Sequence, residues 1–154
     1  MKLTKEEKTA AKKTAETRSK VCVIANALSK QGMSRSTAFK EAWKTVKSTI
    51  ETKVAGVTFE NRQQALENLK KYNTEHINII LAREKENEHD NNAIAVIVSV
   101  KDKGAYKMGY IPRTLSKMVA PLMDYGKNVK AVFKEIRGKY HSYHNYGMKM
   151  SLII

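Results

Sequence analysis

The residues of this chain that carry chemistry gather in two places. The first is the run Arg83-Glu84-Lys85-Glu86-Asn87-Glu88-His89-Asp90-Asn91-Asn92, set between strand-like stretches at 77–83 and 93–100. It contains neither Gly nor Pro, the usual formers of tight turns. An Arg-Glu pair, an Asn and a His-Asp-Asn-Asn cluster instead concentrate hydrogen-bonding side chains at one rim, where binding groups commonly sit. The second place is Arg137-Gly138-Lys139-Tyr140-His141-Ser142-Tyr143-His144-Asn145-Tyr146-Gly147, where basic and aromatic residues interleave between glycines. That pattern suits base stacking combined with attraction to phosphate; a plain exposed hairpin is the alternative. Lys139, Tyr140, Tyr143 and Tyr146 are the expected contributors, with all three rings exposed in the free protein. His141-x-x-His144 has a metal-like spacing but no Cys or carboxylate partner, so no metal is expected.

Enzyme chemistry finds little to work with. There is no phosphate-cradling glycine loop and no HExxH pair. Asp102, Asp124 and Glu135 are scattered along the chain. The single cysteine, Cys22, lies in an apolar helical context and reads as a buried small hydrophobe. A binding module without a cofactor is the expectation. The formal charge of +14 and pI near 9.8 are the electrostatic footprint of a nucleic-acid binder, with a merely Lys-heavy surface as the alternative. One cysteine suits a reducing cytosol. No stretch approaches the roughly 20 apolar residues of a membrane span, so a cytoplasmic protein is expected.

At 154 residues the chain has room for one domain, or for a small domain with an appendage. Thr4-x-x-Glu7 is a capping box that starts a helix at Lys5, and Gly32 is suited to stop it. Ser34 or Ser36 caps a second helix, in which Phe39, Ala42, Trp43, Val46 and Ile50 follow the helical rhythm. From Thr52 the pattern changes. Strands are expected at 53–59, 77–83, 93–100, 105–111, 129–136 and 148–154. One short helix carries Ala65, Leu66 and Leu69, and another spans 114–125, with Pro121 expected to kink or shorten it. Lys101-Asp102-Lys103-Gly104 has turn chemistry. The fold class is α+β: a basic helical extension at 1–50, then a β-rich domain at 51–154. Many short strands with two inserted helices imply a small barrel or a strongly curved antiparallel sheet.

Three segments in order also carry a family resemblance: Val54-x-Gly56-Val57-x-Phe59, the R-E-x-x-N-x-x-D-x-N-A-I-x-V run from Arg83 to Val96, and Gly109-Tyr110-Ile111-Pro112-Arg113. Over about two-thirds of its length the chain resembles HIRAN domains, small β-rich modules fused to DNA-repair helicases or standing alone in bacteria and phages. The resemblance implies an OB-like barrel that grips the 3′ end of single-stranded DNA. Asp90 would accept a hydrogen bond from the terminal 3′-hydroxyl, Phe59 would stack on a base, and Arg113 would hold a phosphate. His89 and Tyr110 would occupy neighbouring pocket positions. Thr58 stands where many relatives carry a basic residue, His89 where many carry Tyr, and Tyr110 where some carry His; Lys53, Arg62 and Arg83 are candidate substitutes for the missing cation. From the residues alone, the alternative for Asp90 is the cap of an Asx turn, and for Phe59 a core aromatic. The alternative to a DNA-binding protein is an adaptor or inhibitor from a phage or mobile element that docks on a host protein through the Phe39-Trp43-Val46 stripe.

Overall fold

The computed structural model describes residues 4–138 and 144–154. Helix α1 (Lys5–Lys30) begins at the expected box: Thr4 Oγ1 accepts from the Glu7 amide, and Glu7 accepts from the Thr4 amide at 2.7 Å. It ends in a Schellman-type turn, with Gly32 at φ +96° and the Met33 amide reaching back to Leu28 O. Ser34 caps α2 (Arg35–Lys47). The chain then enters β1 (Thr49–Lys53), α3 (Arg62–Leu69), a 3-10 turn (Thr74–His76), β2 (Ile77–Arg83), β3 (Ile94–Val100), β4 (Gly104–Tyr110), α4 (Arg113–Asp124), β5 (Lys130–Gly138) and β6 (Tyr146–Ile153).

The strands form two three-stranded antiparallel sheets, ordered β1-β6-β5 and β2-β3-β4, rather than a closed barrel. The sheets are joined at one corner by an isolated bridge: the Ala55 amide donates to Tyr110 O at 2.8 Å, and the Tyr110 amide to Ala55 O at 2.9 Å. At the opposite seam, Ile79–Leu81 of β2 and residues 129–132, at the start of β5, line an open groove, so backbone pairing does not continue round the circle.

Two apolar clusters hold this arrangement. The larger lies between the sheets, where Ile94 and Val96 of β3 meet Met148, Met150 and Leu152 of β6, with Leu66 and Leu69 of α3 and Val119 of α4 packed on them. The smaller joins the N-terminal helices to the rest: Val21, Ile24 and Ala25 of α1 and Ala38 and Ala42 of α2 pack against Met118 and Leu122 of α4. Cys22 is exposed, not buried as its neighbours suggest. One residue past Val21, it sits about 100° round the helix and off the apolar face. Phe39 and Val46 pack against this cluster, while Trp43 remains 37% exposed beneath the Lys47 ammonium. Pro121 lies inside α4 without ending it. Lacking an N–H, it leaves Lys117 O without its helical donor, and Gln31 Nε2 at the end of α1 reaches that carbonyl at 3.5 Å.

The expected strand at 53–59 is displaced toward the N-terminus. β1 is Thr49–Lys53, and Ile50, which fits the rhythm of α2, is a strand residue paired with Leu152. Beyond Val54 the chain turns, with Gly56 at φ +74° and Glu60 at +56°. Tyr146 is buried in the larger cluster, not exposed; its amide donates to Gln63 Oε1 at 2.7 Å, and its ring lies under Lys70.

Candidate nucleic-acid interface

The candidate site is the rim where three ends of chain meet: the turn after β1, the loop entering β3, and the β4–α4 junction. The Ala55–Tyr110 bridge ties the first to the third. The Ile111 amide, donating to Ile94 O at 3.0 Å, ties the third to the second.

The loop from Glu84 to Asn92 is ordered by its own side chains. Asn87 Oδ1 accepts from the His89 and Asp90 amides, and Asp90 Oδ1 accepts from the Asn92 amide at 2.9 Å. Asp90 is thus an Asx-turn residue, as its type allows. Its other oxygen, Oδ2, faces Arg113 Nε at 3.5 Å, and Arg113 also donates to His89 O. His89, Asp90 and Arg113 therefore come together at the start of α4, with His89 and Arg113 exposed and Asp90 half-buried. An open depression of about 520 Å³ adjoins the loop, lined by Arg83 to Asn87.

Phe59 is 66% exposed, so it is no core residue. It sits on the turn opened by Gly56, whose carbonyl accepts from Arg62 Nη1 at 2.8 Å. A Cβ at Gly56 would lie 3.3 Å from that same nitrogen. Arg62 is only 6% exposed; it also meets Glu60 and lies 6.0 Å from the centre of the Tyr110 ring. Its role is to brace the turn that carries Phe59.

Tyr110 belongs to a network that sequence reasoning missed. Glu84 accepts from Lys107 Nζ at 2.7 Å, from the Tyr110 hydroxyl at 3.0 Å and from Asn87 Nδ2 at 3.0 Å. Lys107 also lies 4.5 Å from the Tyr110 ring centre. In a regular strand residues 107 and 110 point to opposite faces. A bulge between the Val96–Gly109 and Ile97–Lys107 pairings brings them to the same one. The Lys107 hydrogen bond holds Glu84 below the usual carboxylate range against the opposing effect of burial. Burial lowers the Lys107 pKa, but the hydrogen bonds to Glu84 and Tyr110 outweigh it and hold the ammonium above its usual range.

Arg83 is likewise engaged, in a two-pronged pair with Asp124 at 3.1 Å on both prongs and in hydrogen bonds to Ala93 O and Asn91 O. The Arg83 hydrogen bond lowers the Asp124 pKa against burial, with Lys85 adding to it. This clamp fixes the end of β2 to the end of α4. Of the cations considered as substitutes at Thr58, Arg62 and Arg83 are thus committed to structure, while Lys53 is exposed. Lys139, Tyr140, His141 and Tyr143 lie outside the described residues. Among the described residues, no group of three or more His, Cys, Asp or Glu is placed to hold a metal ion, and no helix is long and apolar enough to cross a membrane.

The family model of the HIRAN domain matches residues 47–152. The chain belongs to the HIRAN domain family. HIRAN domains are generally DNA-binding modules and are not themselves catalytic. A crystal structure of a Lactobacillus plantarum protein, from a structural genomics consortium, is similar at 24% identity, covering 68% of this chain and 98% of that one with a TM-score of 0.43. No curated protein matches the chain. The HIRAN match starts at the end of α2, so α1 and most of α2 lie outside it.

Proposed function

We propose that this HIRAN protein binds single-stranded DNA and prefers a free 3′ end. The observation that carries the reading is the Asp90–Arg113 pair on a rim that also exposes Phe59. A terminal nucleotide offers that rim a base, a hydroxyl and a phosphate on its 5′ side. Phe59 stacks on the base, worth about 1–3 kcal/mol whatever the base. Asp90 Oδ2 accepts from the 3′-hydroxyl, and its charge repels a phosphate in that position. Arg113 turns its guanidinium to the internucleotide phosphate. The Asp90–Arg113 pair is exposed on the Arg side, where such pairs contribute at most about 1 kcal/mol, so exchanging it for a phosphate contact costs little.

The test is a titration at moderate salt with oligonucleotides bearing a free or a phosphorylated 3′ end. Tighter binding of the free end is expected; equal affinity for both would overturn the reading.

A further inference from the structure

A second aromatic site lies along the C-terminal half of α3, the end away from Phe59. Phe59 stands three residues before the helix and Tyr72 three residues after it. The helix between them has eight residues, or about 12 Å. Tyr72 and Tyr106, on the β3–β4 hairpin side, are 37% and 39% exposed and flank one groove of about 310 Å³. Its floor is apolar, from Leu69, Val98 and Met108, and Asn68 and Lys103 stand at its margin. Lys71 follows at the end of α3, exposed, with its Nζ donating to Asn68 Oδ1 at 3.0 Å, while Lys70 lies over the Tyr146 ring. Rings on both sides, an apolar floor and cations at the edge form a stacking platform within a positive field. An apolar peptide would use the floor but not the lysines, so the charge favours a polyanion with flat rings.

We infer that this groove is a subsite for nucleotides on the 5′ side of the bound end, with the strand running along α3 from Phe59 to the Tyr72–Tyr106 pair. The inference rests on the end-binding reading only for its direction; the groove itself stands on its own geometry. The spacing sets a length requirement. An oligonucleotide of about two residues fills the end pocket alone, whereas one of about twelve reaches both sites, within the range one small β domain covers.

The experiment measures affinity of the full chain for oligothymidines of about 2 and about 12 residues, each with a free or a phosphorylated 3′ end. The Tyr72→Ala/Tyr106→Ala double variant should bind the long oligonucleotide at least about tenfold more weakly and the short one as wild type does. Tyr72→Phe/Tyr106→Phe, which keeps the rings, should restore long-strand binding, separating lost stacking from a disturbed fold. Full-strength binding of the long strand by the Ala variant overturns the subsite, as does equal weakening of both lengths. The ratio between free and blocked ends reports separately on the pocket: its loss in wild type sinks end recognition and leaves the groove to be judged by the length comparison.

Discussion

Asp90 has two tasks that a single substitution separates. One oxygen closes the Asx turn on the Asn92 amide, and the other stands beside Arg113. Asp90→Asn keeps a side-chain acceptor for the turn and removes the charge. It should leave the melting temperature nearly unchanged and abolish the discrimination between free and 3′-phosphorylated ends. A variant that still discriminates would place the reader of the hydroxyl elsewhere. The neighbouring Glu84–Lys107 pair makes a prediction in pH. Glu84 has a lowered pKa, so its contribution to stability is present above the usual carboxylate range and lost as pH falls through its folded value. Lys107 has a raised pKa, so its contribution is present below the usual ammonium range and lost as pH rises through its folded value. The pair therefore stabilises the rim across neutral pH. Glu84→Gln should lower the melting temperature at neutral pH and flatten its fall into acid, measured by thermal unfolding across a pH series. An unchanged acid limb would show that the pair adds nothing to stability.

At the scale of elements, the sheet corner depends on Gly109. A Cβ there would sit 2.1 Å from Ala55 O, inside the bridge that joins the two sheets. Backbone cannot yield as a flexible side chain would. Gly109→Ala should therefore cost about 3 kcal/mol or more in denaturant unfolding, the scale of a severe core defect, and should disorder the rim with it. The helical extension separates into two parts. Val21, Ile24 and Ala25 cover Met118 and Leu122 of α4, so Ile24→Ala should cost about 2–5 kcal/mol. Residues 8–16, exposed throughout and past the capping box, should tolerate substitution.

The same elements show what the sequence makes legible. The capping box, the stop at Gly32, the exact span of β2, and the existence of α3 and α4 follow from local chemistry, which acts within a few residues. The start of β1 does not, because Ile50 satisfies both a helical rhythm and a strand that pairs with Leu152 about a hundred residues later. Asp90, Arg113 and His89 were legible as site candidates through motif positions. Glu84 with Lys107 and Tyr110 was not, because it takes strand register and a β-bulge to bring residue 107 round to the face of residue 110. The burial of Tyr146 escaped for a similar reason: its place is set by Gln63, far away in sequence.

At the scale of the whole molecule, positive charge is unevenly spread. Residues 1–50 hold 12 of the 29 Lys and Arg but only 4 of the 15 Asp and Glu. Most of the net charge thus lies on a segment largely outside the HIRAN match. Helix α1 is about 39 Å long by its 26 residues, and its first half projects from the core with Lys5, Lys8 and Lys12 on one face at i, i+3, i+7 spacing. A row of cations on a projecting helix neutralises phosphates one by one, and each contact releases counterions. For a single strand, the logarithm of affinity should fall with the logarithm of salt at about −0.7 per contact. Replacing Lys5, Lys8 and Lys12 by Gln should make that slope shallower by about 2 if all three touch phosphate. The end preference should remain, since it depends on Asp90 rather than on the field. Stability should change little, because these side chains contribute to neither apolar cluster. The measurement is a salt series of binding titrations on wild type and triple variant. An identical slope for the two would show that α1 stands clear of the DNA, and that the affinity comes from the rim and the groove beside α3 alone.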